Sequence, residues 1–211
     1  MTKLYKLIEE KIRKAANSTS QNNIKGNNRL PPGQTITEKF PVLDLGIKPD
    51  INESNWTLKI FGLVEHELNI NFAELQSKFE QVEETSDFHC VTHWSKYDVC
   101  WRGIRPRDLL SLVKPKANAK FITFHSYDGY TTNLPLSALL DDDVLIAYAY
   151  NGQSLEFEHG GPVRTVVPKR YAWKSAKWIK AIELHEEDRP GFWEVRGYHN
   201  EADPWKEERF S

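Results

Sequence analysis

The residue types best suited to chemistry lie in the segment 87–94, DFHCVTHW, where Cys90 stands between His89 and His93. A cysteine near cationic groups gains thiolate character, and a thiolate can serve as a nucleophile or as a ligand for a soft metal. Cys90 is therefore the first candidate for a chemical role. Unpaired cysteines are also among the most buried residue types, so a role as a small packed hydrophobe stays open.

A second segment, 159–178, reads HGGPVRTVVPKRYAWKSAKW. Gly160 and Gly161 allow the backbone to approach a ligand closely, and Arg164 begins a β-branched strand. The other cations of this segment are Lys169, Arg170, Lys174 and Lys177. Backbone amides, the hydroxyl of Ser175 and several cations within so few residues suit a bound phosphate.

The alternative for this segment is a solvated basic rim on a strand-turn-strand unit. Tyr171, Trp173 and Trp178 interleave with the cations, and large aromatic side chains are costly to leave exposed. This pattern favours cations held on a structured wall, and such a wall can also bind a flat heterocycle.

The composition limits the class of protein. The 211 residues carry a formal net charge of −2, which fits one domain with or without an arm. Basic residues are scattered among acids, so no nucleic-acid partner is expected. Two cysteines, Cys90 and Cys100, are too few for a disulfide scaffold, which favours a reducing, cytoplasmic location. No apolar run is long enough for a transmembrane segment.

The first 28 residues differ in character from the rest. Apolar residues at helical spacing over 4–12 predict a short amphipathic helix, which packs on the protein or contacts a membrane surface. The stretch 17–28 is rich in Asn, Ser, Thr and Gln and predicts a solvated linker. The folded domain is therefore expected to span 29–211, with FPVLDLG at 40–46 as an extended strip laid on a surface.

The elements before and after Cys90 can be placed by caps and alternation. WTLKIF at 56–61 alternates as a strand does, and Asn71 with Glu74 forms a capping box that starts a helix reaching about Phe79. The acid-rich stretch 81–87 predicts a loop leading to Cys90. Pro106 suits the first turn of a second helix. This helix is expected to bury Leu109, Leu110 and Val113.

The later elements are a strand and turn at 121–130, a short helix beginning at Pro135, and a buried strand at 144–150 that ends in a tight turn at Asn151 and Gly152. Strand and helix signals interleave without a regular repeat, which predicts the α+β class. The aromatic run 189–205, rich in Gly and Pro, predicts an ordered loop that covers a site.

Taken together, these segments resemble the molybdopterin-binding domain of the sulfite oxidase family, in particular small bacterial proteins that consist of this domain alone. The resemblance extends from about residue 29 to residue 210 and is most specific in the segment 159–178. It implies a sulfite-oxidase-type fold with mixed sheets, short helices and long loops. It also implies a molybdenum–molybdopterin cofactor and two-electron oxygen-atom transfer on a small substrate.

The resemblance assigns roles to individual residues. Cys90 matches the single cysteine that ligates molybdenum, and Tyr198 falls at the spacing of the substrate-side tyrosine, so both are expected to be catalytic. The cofactor contacts map onto Ser126, His159, Arg164, Ser175, Ala176 and Lys177. His89 and His93 are expected to support the ligand or to pack. A zinc site built from Cys90 and these two histidines is the alternative, although it lacks an obvious fourth donor.

One departure from the family bears on the substrate. Sulfite oxidases carry an arginine shortly after the ligating cysteine, whereas here the residues at 91–95 are VTHWS. Sulfite is therefore an unlikely substrate, and an S-oxide or N-oxide is expected. The expected partners are a small-molecule substrate and an electron donor or acceptor, and the expected state is a monomer. The competing hypothesis is a molybdopterin-binding or scaffold module without turnover.

Overall fold

The computed structural model describes residues 29–211, so the helix predicted over 4–12 and the linker predicted over 17–28 lie outside the described residues. The described chain forms two mixed β-sheets joined by long loops and short helices. The strands are β1 (Thr35–Ile36), β2 (Thr57–Gly62), β3 (Leu68–Asn71), β4 (Val82–His89), β5 (Trp94–Ile104), β6 (Phe121–Ser126), β7 (Thr131–Pro135), β8 (Leu145–Tyr150), β9 (Gln153–Ser154), β10 (Arg164–Val166) and β11 (Ile179–His185). The α-helices are α1 (Phe72–Ser77) and α2 (Pro106–Val113).

The first sheet follows the order β1-β5-β8-β10, with β4 paired to β5 and β9 paired to β8. The second sheet follows the order β3-β2-β11-β6-β7. Two pairs, β1 with β5 and β2 with β11, are parallel, and the remaining pairs are antiparallel. The predicted α+β class with mixed sheets is confirmed. Within residues 29–211, no helix has the length and apolar character needed to cross a bilayer.

Both predicted α-helices are present. Asn71 caps α1, since its side chain accepts a hydrogen bond from the Glu74 amide while the Glu74 carboxylate accepts one from the Asn71 amide. In α2, Pro106 occupies the first turn. The buried face of α2 carries Leu109, Leu110 and Val113, as the sequence predicts. Short 3₁₀ turns replace the helix expected after Pro135, at Leu136–Leu140.

The prediction of a loop at 81–87 is wrong, because all of these residues except Gln81 belong to strand β4. Exposed Glu83 and Thr85 alternate with partly buried neighbours, so β4 presents one polar face to solvent. It pairs with β5 as an edge strand, and edge strands commonly carry charged side chains that discourage further pairing. The acidic residues therefore belong to a partly solvent-exposed strand, and their number obscures the alternation of apolar and polar residues that would predict a strand.

Because strand β4 extends to His89, Cys90 has a defined position in the fold. β4 and β5 form a long antiparallel hairpin, and Cys90 begins the turn that joins them. A cluster of buried apolar side chains surrounds the hairpin near this turn and includes Phe88, Trp94, Trp101 and Cys90 itself. The sheet thus fixes the backbone of Cys90 at the end of a rigid element.

Candidate functional site

The turn that carries Cys90 is held by hydrogen bonds on both sides. The Cys90 amide donates to the Trp94 carbonyl at 2.9 Å, and the His93 amide donates to the Cys90 carbonyl at 3.1 Å. The Gln34 side chain also donates to the Cys90 carbonyl, at 3.0 Å. His93 adopts a left-handed conformation with φ of 70°, which completes the reversal of the chain. These contacts leave the thiol in the wall of a pocket.

The Cys90 side chain is buried, and its sulfur lies 3.2 Å from the Thr92 hydroxyl. Burial raises the pKa of the Cys90 thiol, while Thr92, Arg209 and Lys177 act in the opposite direction. A buried thiol of this kind does not ionise readily by itself, but a metal ion that binds it displaces the proton. The environment therefore suits a metal ligand better than a free nucleophile.

The two flanking histidines have different surroundings. Burial lowers the pKa of His89 to about 4, so His89 adds no positive charge beside the Cys90 thiol at neutral pH, and its Nδ1 lies 2.8 Å from the Ser95 hydroxyl. His93 Nδ1 lies 2.8 Å from the Gly33 carbonyl oxygen. Within residues 29–211, no three His, Cys, Asp or Glu side chains could hold a metal together, which removes the zinc alternative.

Cys90 shares one pocket with most of the predicted site residues. The pocket contains about 940 Å³ of space between protein atoms, and this value includes the open solvent at its mouth. The predicted site residues that line it are Cys90, His159, Arg164, Ser175, Lys177 and Tyr198. Ser126 and Ala176 are buried but do not line it. Residues distant in sequence are thus brought to one cavity.

Arg164 is a buried cation whose partners are neutral. Its guanidinium donates to the carbonyls of His159 at 2.7 Å, Ser175 at 3.2 Å and Thr165 at 3.2 Å. It also lies over two rings of the apolar cluster, 5.2 Å from each ring centre. Burial lowers the pKa of Arg164 to about 9, so it remains charged at neutral pH. In the described part of the chain it forms no ion pair with a carboxylate.

Lys177 is the second cation that lines the pocket, and its side chain is half-buried. Its Nζ donates to the Glu158 carbonyl at 2.6 Å, and among the described residues it has no ion-pair partner. Burial and the charge of Arg164 lower the pKa of Lys177 to about 7. These two cations form no ion pair among the described residues and suit an anionic ligand such as a phosphate, in a pocket that Asp44 and Asp128 also line. The pocket therefore offers both a soft sulfur donor and a phosphate site, which fits a phosphorylated pterin that carries a metal.

The two glycines that precede these cations have a packing role. Gly160 has φ of +106°, and a Cβ there would lie 2.9 Å from Lys177 Cβ and 3.1 Å from Arg164 Cβ. A Cβ at Gly161 would lie 2.1 Å from the Leu155 carbonyl oxygen. Protein atoms thus fill the space beside both glycines. The absence of a side chain at Gly160 lets Arg164 and Lys177 pack against the same point of the backbone, and the absence of one at Gly161 lets the Leu155 carbonyl approach. The close approach of a ligand that the sequence suggests stays a prediction.

The other cations of segment 159–178 are neutralised elsewhere. The ion pairs are Lys169 with Asp141, Arg170 with Glu201, and Lys174 with Glu194. The prediction that the whole cluster serves a phosphate is therefore too broad. Lys169, Arg170 and Lys174 do not line the pocket, because the 3₁₀ and extended backbone of this segment directs successive side chains to different sides.

The remaining predicted cofactor contacts differ in exposure to the pocket. The His159 ring stacks on Phe40 at 4.5 Å, and its Nε2 lies 3.1 Å from the Phe40 carbonyl oxygen. The Ser175 hydroxyl accepts a hydrogen bond from the Val167 amide at 2.9 Å. The Ala176 carbonyl accepts one from a neighbouring strand. The Ser126 hydroxyl is buried and, among the described residues, has no partner.

Several lining residues escaped the sequence analysis. The strip 40–46 contributes to the pocket, since Phe40 and Asp44 line it. Asp128 also lines it and is buried, and burial raises the pKa of its carboxyl group although the Tyr130 amide donates to it at 3.0 Å. Asp128 sits in the turn SYDGY two residues after Ser126, and this turn was the available signal.

Aromatic residues from two segments form another part of the pocket. Trp173, Trp193 and Tyr198 all line it. The Tyr198 ring lies 5.1 Å from Trp173 and 4.7 Å from Trp193. The predicted covering loop at 189–205 therefore contributes directly to the cavity.

A buried ion pair holds this aromatic group in place. Lys174 Nζ lies 2.6 Å from Glu194 Oε1, with side-chain exposures of 0% and 2%. The same oxygen accepts hydrogen bonds from Trp173 Nε1 at 3.0 Å and from Thr132 at 2.9 Å. The carboxylate thereby ties the Trp173 indole to the segment that carries Trp193.

We expect Glu194→Gln to destabilise the protein by about 3–5 kcal/mol, because it leaves the Lys174 ammonium buried without its counter-charge. Urea unfolding of the cofactor-free protein measures the change. The matched control is Glu67→Gln, which removes the exposed pair with Lys59 and should cost less than about 1 kcal/mol. Equal losses in the two variants would show that the buried pair has no special role.

Comparison with known proteins identifies the family of the chain. The sequence profile of the family described as "Oxidoreductase molybdopterin binding domain" matches residues 45–193. The chain belongs to this family. The oxidoreductase YuiH of Bacillus subtilis, named as uncharacterized, is 43% identical over 184 residues, which covers 87% of this chain and 92% of the relative. The two proteins are thus similar over most of the length of each.

More distant relatives are larger. The NADPH nitrate reductase of Beauveria bassiana is 27% identical over 77% of this chain but only 22% of its own length. A putative protein-methionine-sulfoxide reductase subunit, YedZ1 of Azospira oryzae, is 27% identical over 80% of this chain and 64% of its own length. The sulfane dehydrogenase SoxCD of Paracoccus pantotrophus superposes with a TM-score of 0.62 at 21% identity, over 71% of this chain and 42% of that chain.

Family and fold together confirm the expected fold, enzyme class and cofactor. The superposition on SoxCD confirms a sulfite-oxidase-type molybdopterin-binding fold. Membership in the family makes the protein a molybdopterin-dependent oxidoreductase, and its cofactor is molybdenum–molybdopterin.

Proposed function

We propose that this oxidoreductase catalyses two-electron oxygen-atom transfer on a small neutral substrate, an S-oxide or an N-oxide, with Cys90 as the protein ligand of molybdenum. The observation that carries the proposal is the shared pocket, where the buried Cys90 thiol accompanies Arg164 and Lys177, two cations that form no ion pair with a carboxylate within residues 29–211. A thiolate suits a high-valent metal that also takes sulfur from its pterin.

In this proposal the cofactor supplies the redox chemistry and the protein supplies position, charge and exclusion of water. Arg164 and Lys177 bind the pterin phosphate. The further cofactor contacts that we assign are Ser126, His159, Ser175 and Ala176. The buried Ser126 hydroxyl supports its assignment, because a buried hydroxyl without a partner is costly unless a ligand or water satisfies it. The His89 and His93 side chains hold the turn around Cys90.

A neutral substrate follows from the surroundings of Cys90. The turn supplies Val91 and Thr92 to the pocket and no arginine, and the nearby aromatic wall carries Tyr198. Such a wall binds apolar substituents, while a phenolic hydroxyl can donate a hydrogen bond to the oxygen that is transferred. The 27%-identical relative from Azospira oryzae is named as a putative protein-methionine-sulfoxide reductase subunit, and this name favours an S-oxide over an N-oxide as the substrate.

The proposed domain begins near Arg29. The Arg29 guanidinium lies 2.5 Å from Asp87 on β4 and 2.6 Å from Asp98 on β5, so the chain joins the hairpin of the site at this residue. We further propose a cytoplasmic monomer that exchanges electrons with a separate partner, in keeping with the free thiols of Cys90 and Cys100.

A dye-coupled assay on molybdenum-loaded protein tests the proposed reaction. We expect reduction of methyl phenyl sulfoxide or trimethylamine N-oxide and negligible oxidation of sulfite. Rapid sulfite oxidation without oxide reduction would contradict the proposed direction and substrate class. Molybdenum-loaded protein that is inert toward all three would instead favour a binding module of the same fold.

We expect Tyr198→Phe to lower kcat/KM for the oxide by about 100-fold, because it removes a proton donor from the reacting oxygen. Its molybdenum content should equal that of the wild type, which separates this effect from cofactor loss. The control is Tyr97→Phe, since Tyr97 packs against Arg29 outside the pocket. Unchanged kcat/KM in Tyr198→Phe would remove Tyr198 from the reaction.

A further inference from the structure

Arg209 is a buried cation close to the Cys90 turn. It is 7% exposed, and its guanidinium donates to the Val91 carbonyl at 2.7 Å and to the Pro32 carbonyl at 3.4 Å. It also lies 4.8 Å from the centre of the Tyr171 ring. In the described part of the chain, Arg209 has no ion pair with a carboxylate.

The only carboxylate that the described residues place beside the same face of Gly33 as the Arg209 guanidinium is that of Glu207, and the two groups form no ion pair. Carbonyl oxygens compensate the desolvation of a guanidinium only in part, so a buried cation with neutral partners favours an added anion. The Val91 carbonyl belongs to the turn that also carries Cys90, so the guanidinium is hydrogen-bonded to the backbone of this turn. When Cys90 is ionised and bound to a metal, the thiolate adds negative charge to the turn that Arg209 binds.

The backbone of Arg209 belongs to the other side of the site. The His199 amide donates to the Arg209 carbonyl at 3.1 Å, and Phe210 forms a β-bridge with Tyr198. The Phe210 ring packs 5.0 Å from the Tyr198 ring. One residue therefore connects the turn that carries Cys90 with the segment that carries Tyr198.

We propose that Arg209 is a positioning residue that supplies, from the end of the described chain, the positive charge that the residues after Cys90 lack. It fixes the Cys90 turn against the Tyr198 segment, and its charge raises the reduction potential of the bound molybdenum. A fixed positive charge stabilises the more electron-rich state of a nearby metal, so its removal makes reduction harder. The inference rests on the proposed function, because it takes Cys90 as the metal ligand.

Potentiometric titration of molybdenum-loaded protein tests the charge directly. We expect Arg209→Gln to shift the molybdenum midpoint potential to lower values, while Arg209→Lys keeps most of the wild-type potential. The matched control is Arg170→Gln, which removes a cation paired with Glu201 and away from the Cys90 turn, and which should leave the potential unchanged. Equal potentials in wild type and Arg209→Gln, or an equal shift in Arg209→Lys, would overturn the proposal.

A loading experiment decides the case if Arg209→Gln cannot be titrated. Normal molybdenum content in Arg209→Lys, together with metal-free Arg209→Gln whose cofactor-free form melts like the wild type, supports the need for charge. Loss of molybdenum from both variants overturns it. Failure of the proposed function is distinguishable, because in that case Cys90→Ser keeps its molybdenum whatever the Arg209 variants do.

Discussion

Exchange of Cys90 for serine is expected to lower molybdenum content to a small fraction of one per chain and to reduce oxide reduction by more than about 100-fold. Substitution of residues that merely support a metal ligand costs about 10–100-fold, so loss of the ligand itself should cost more. Serine is similar in size, and the Cys90 backbone is held by Trp94, His93 and Gln34, so the fold should survive.

The control for this variant is Cys100→Ser. Cys100 is a half-buried free thiol on β5 that does not line the pocket, and its amide donates to the Asn151 side chain. We expect full molybdenum content and full activity in this control. Elemental analysis of both variants, purified from a host that makes the cofactor, provides the measurement. Normal metal content in Cys90→Ser would show that the thiol is a packed hydrophobe.

The second large effect is expected at Lys177. Lys177→Met should weaken retention of the cofactor by at least about tenfold, because it removes a charge-assisted phosphate contact while the methionine keeps most of the apolar stem. Lys169→Met is the matched control, since Lys169 pairs with Asp141 on a different surface and should retain the cofactor normally. Gel filtration followed by fluorescence assay of the oxidised pterin measures retention.

The phosphate site should also show a definite pH dependence. In the cofactor-free protein Lys177 has a pKa of about 7, and a bound phosphate raises that pKa because it stabilises the ammonium. Binding therefore takes up a proton above pH 7, and affinity for the phosphate dianion, referred to the dianion concentration present at each pH, should fall as the pH rises from 6 to 8. Thermal shifts by phosphate measure this trend.

The Lys177→Met variant should bind phosphate weakly at both pH values and lose most of the pH trend. If the cofactor-free wild type and Lys177→Met respond to phosphate identically, Lys177 belongs to a solvated rim and has no part in phosphate binding. Equal cofactor retention in the two proteins would lead to the same conclusion.

Local signals in the sequence predicted the parts of the fold that depend on local physics. The capping box at Asn71 and the proline at Pro106 place both α-helices, since each depends on residues within one turn. The turn at Asn151 and Gly152 is likewise local and joins β8 to β9. Strand β4 was missed because its solvent face carries acids and its partner β5 determines its state.

The site residues also fall into those that local sequence predicted and those that depend on contacts between distant residues. Cys90, Arg164 and Lys177 were found because they belong to two compact segments with a family resemblance, and the structure brings them to one pocket. Arg209 was not found, since its contact with Val91 joins residues 118 positions apart. Lys174 looked like part of the phosphate site because its buried partner Glu194 lies in another segment. Charge compensation between distant residues is a tertiary property that local composition does not reveal.

The central claim is that the sulfur of Cys90 binds the metal of a pterin whose phosphate is held by Arg164 and Lys177. X-ray absorption at the molybdenum edge measures the sulfur ligands directly. We predict three sulfur neighbours in the wild-type protein, two from the pterin and one from Cys90, and two in whatever molybdenum Cys90→Ser retains. The same number of sulfur neighbours in both proteins would contradict the account.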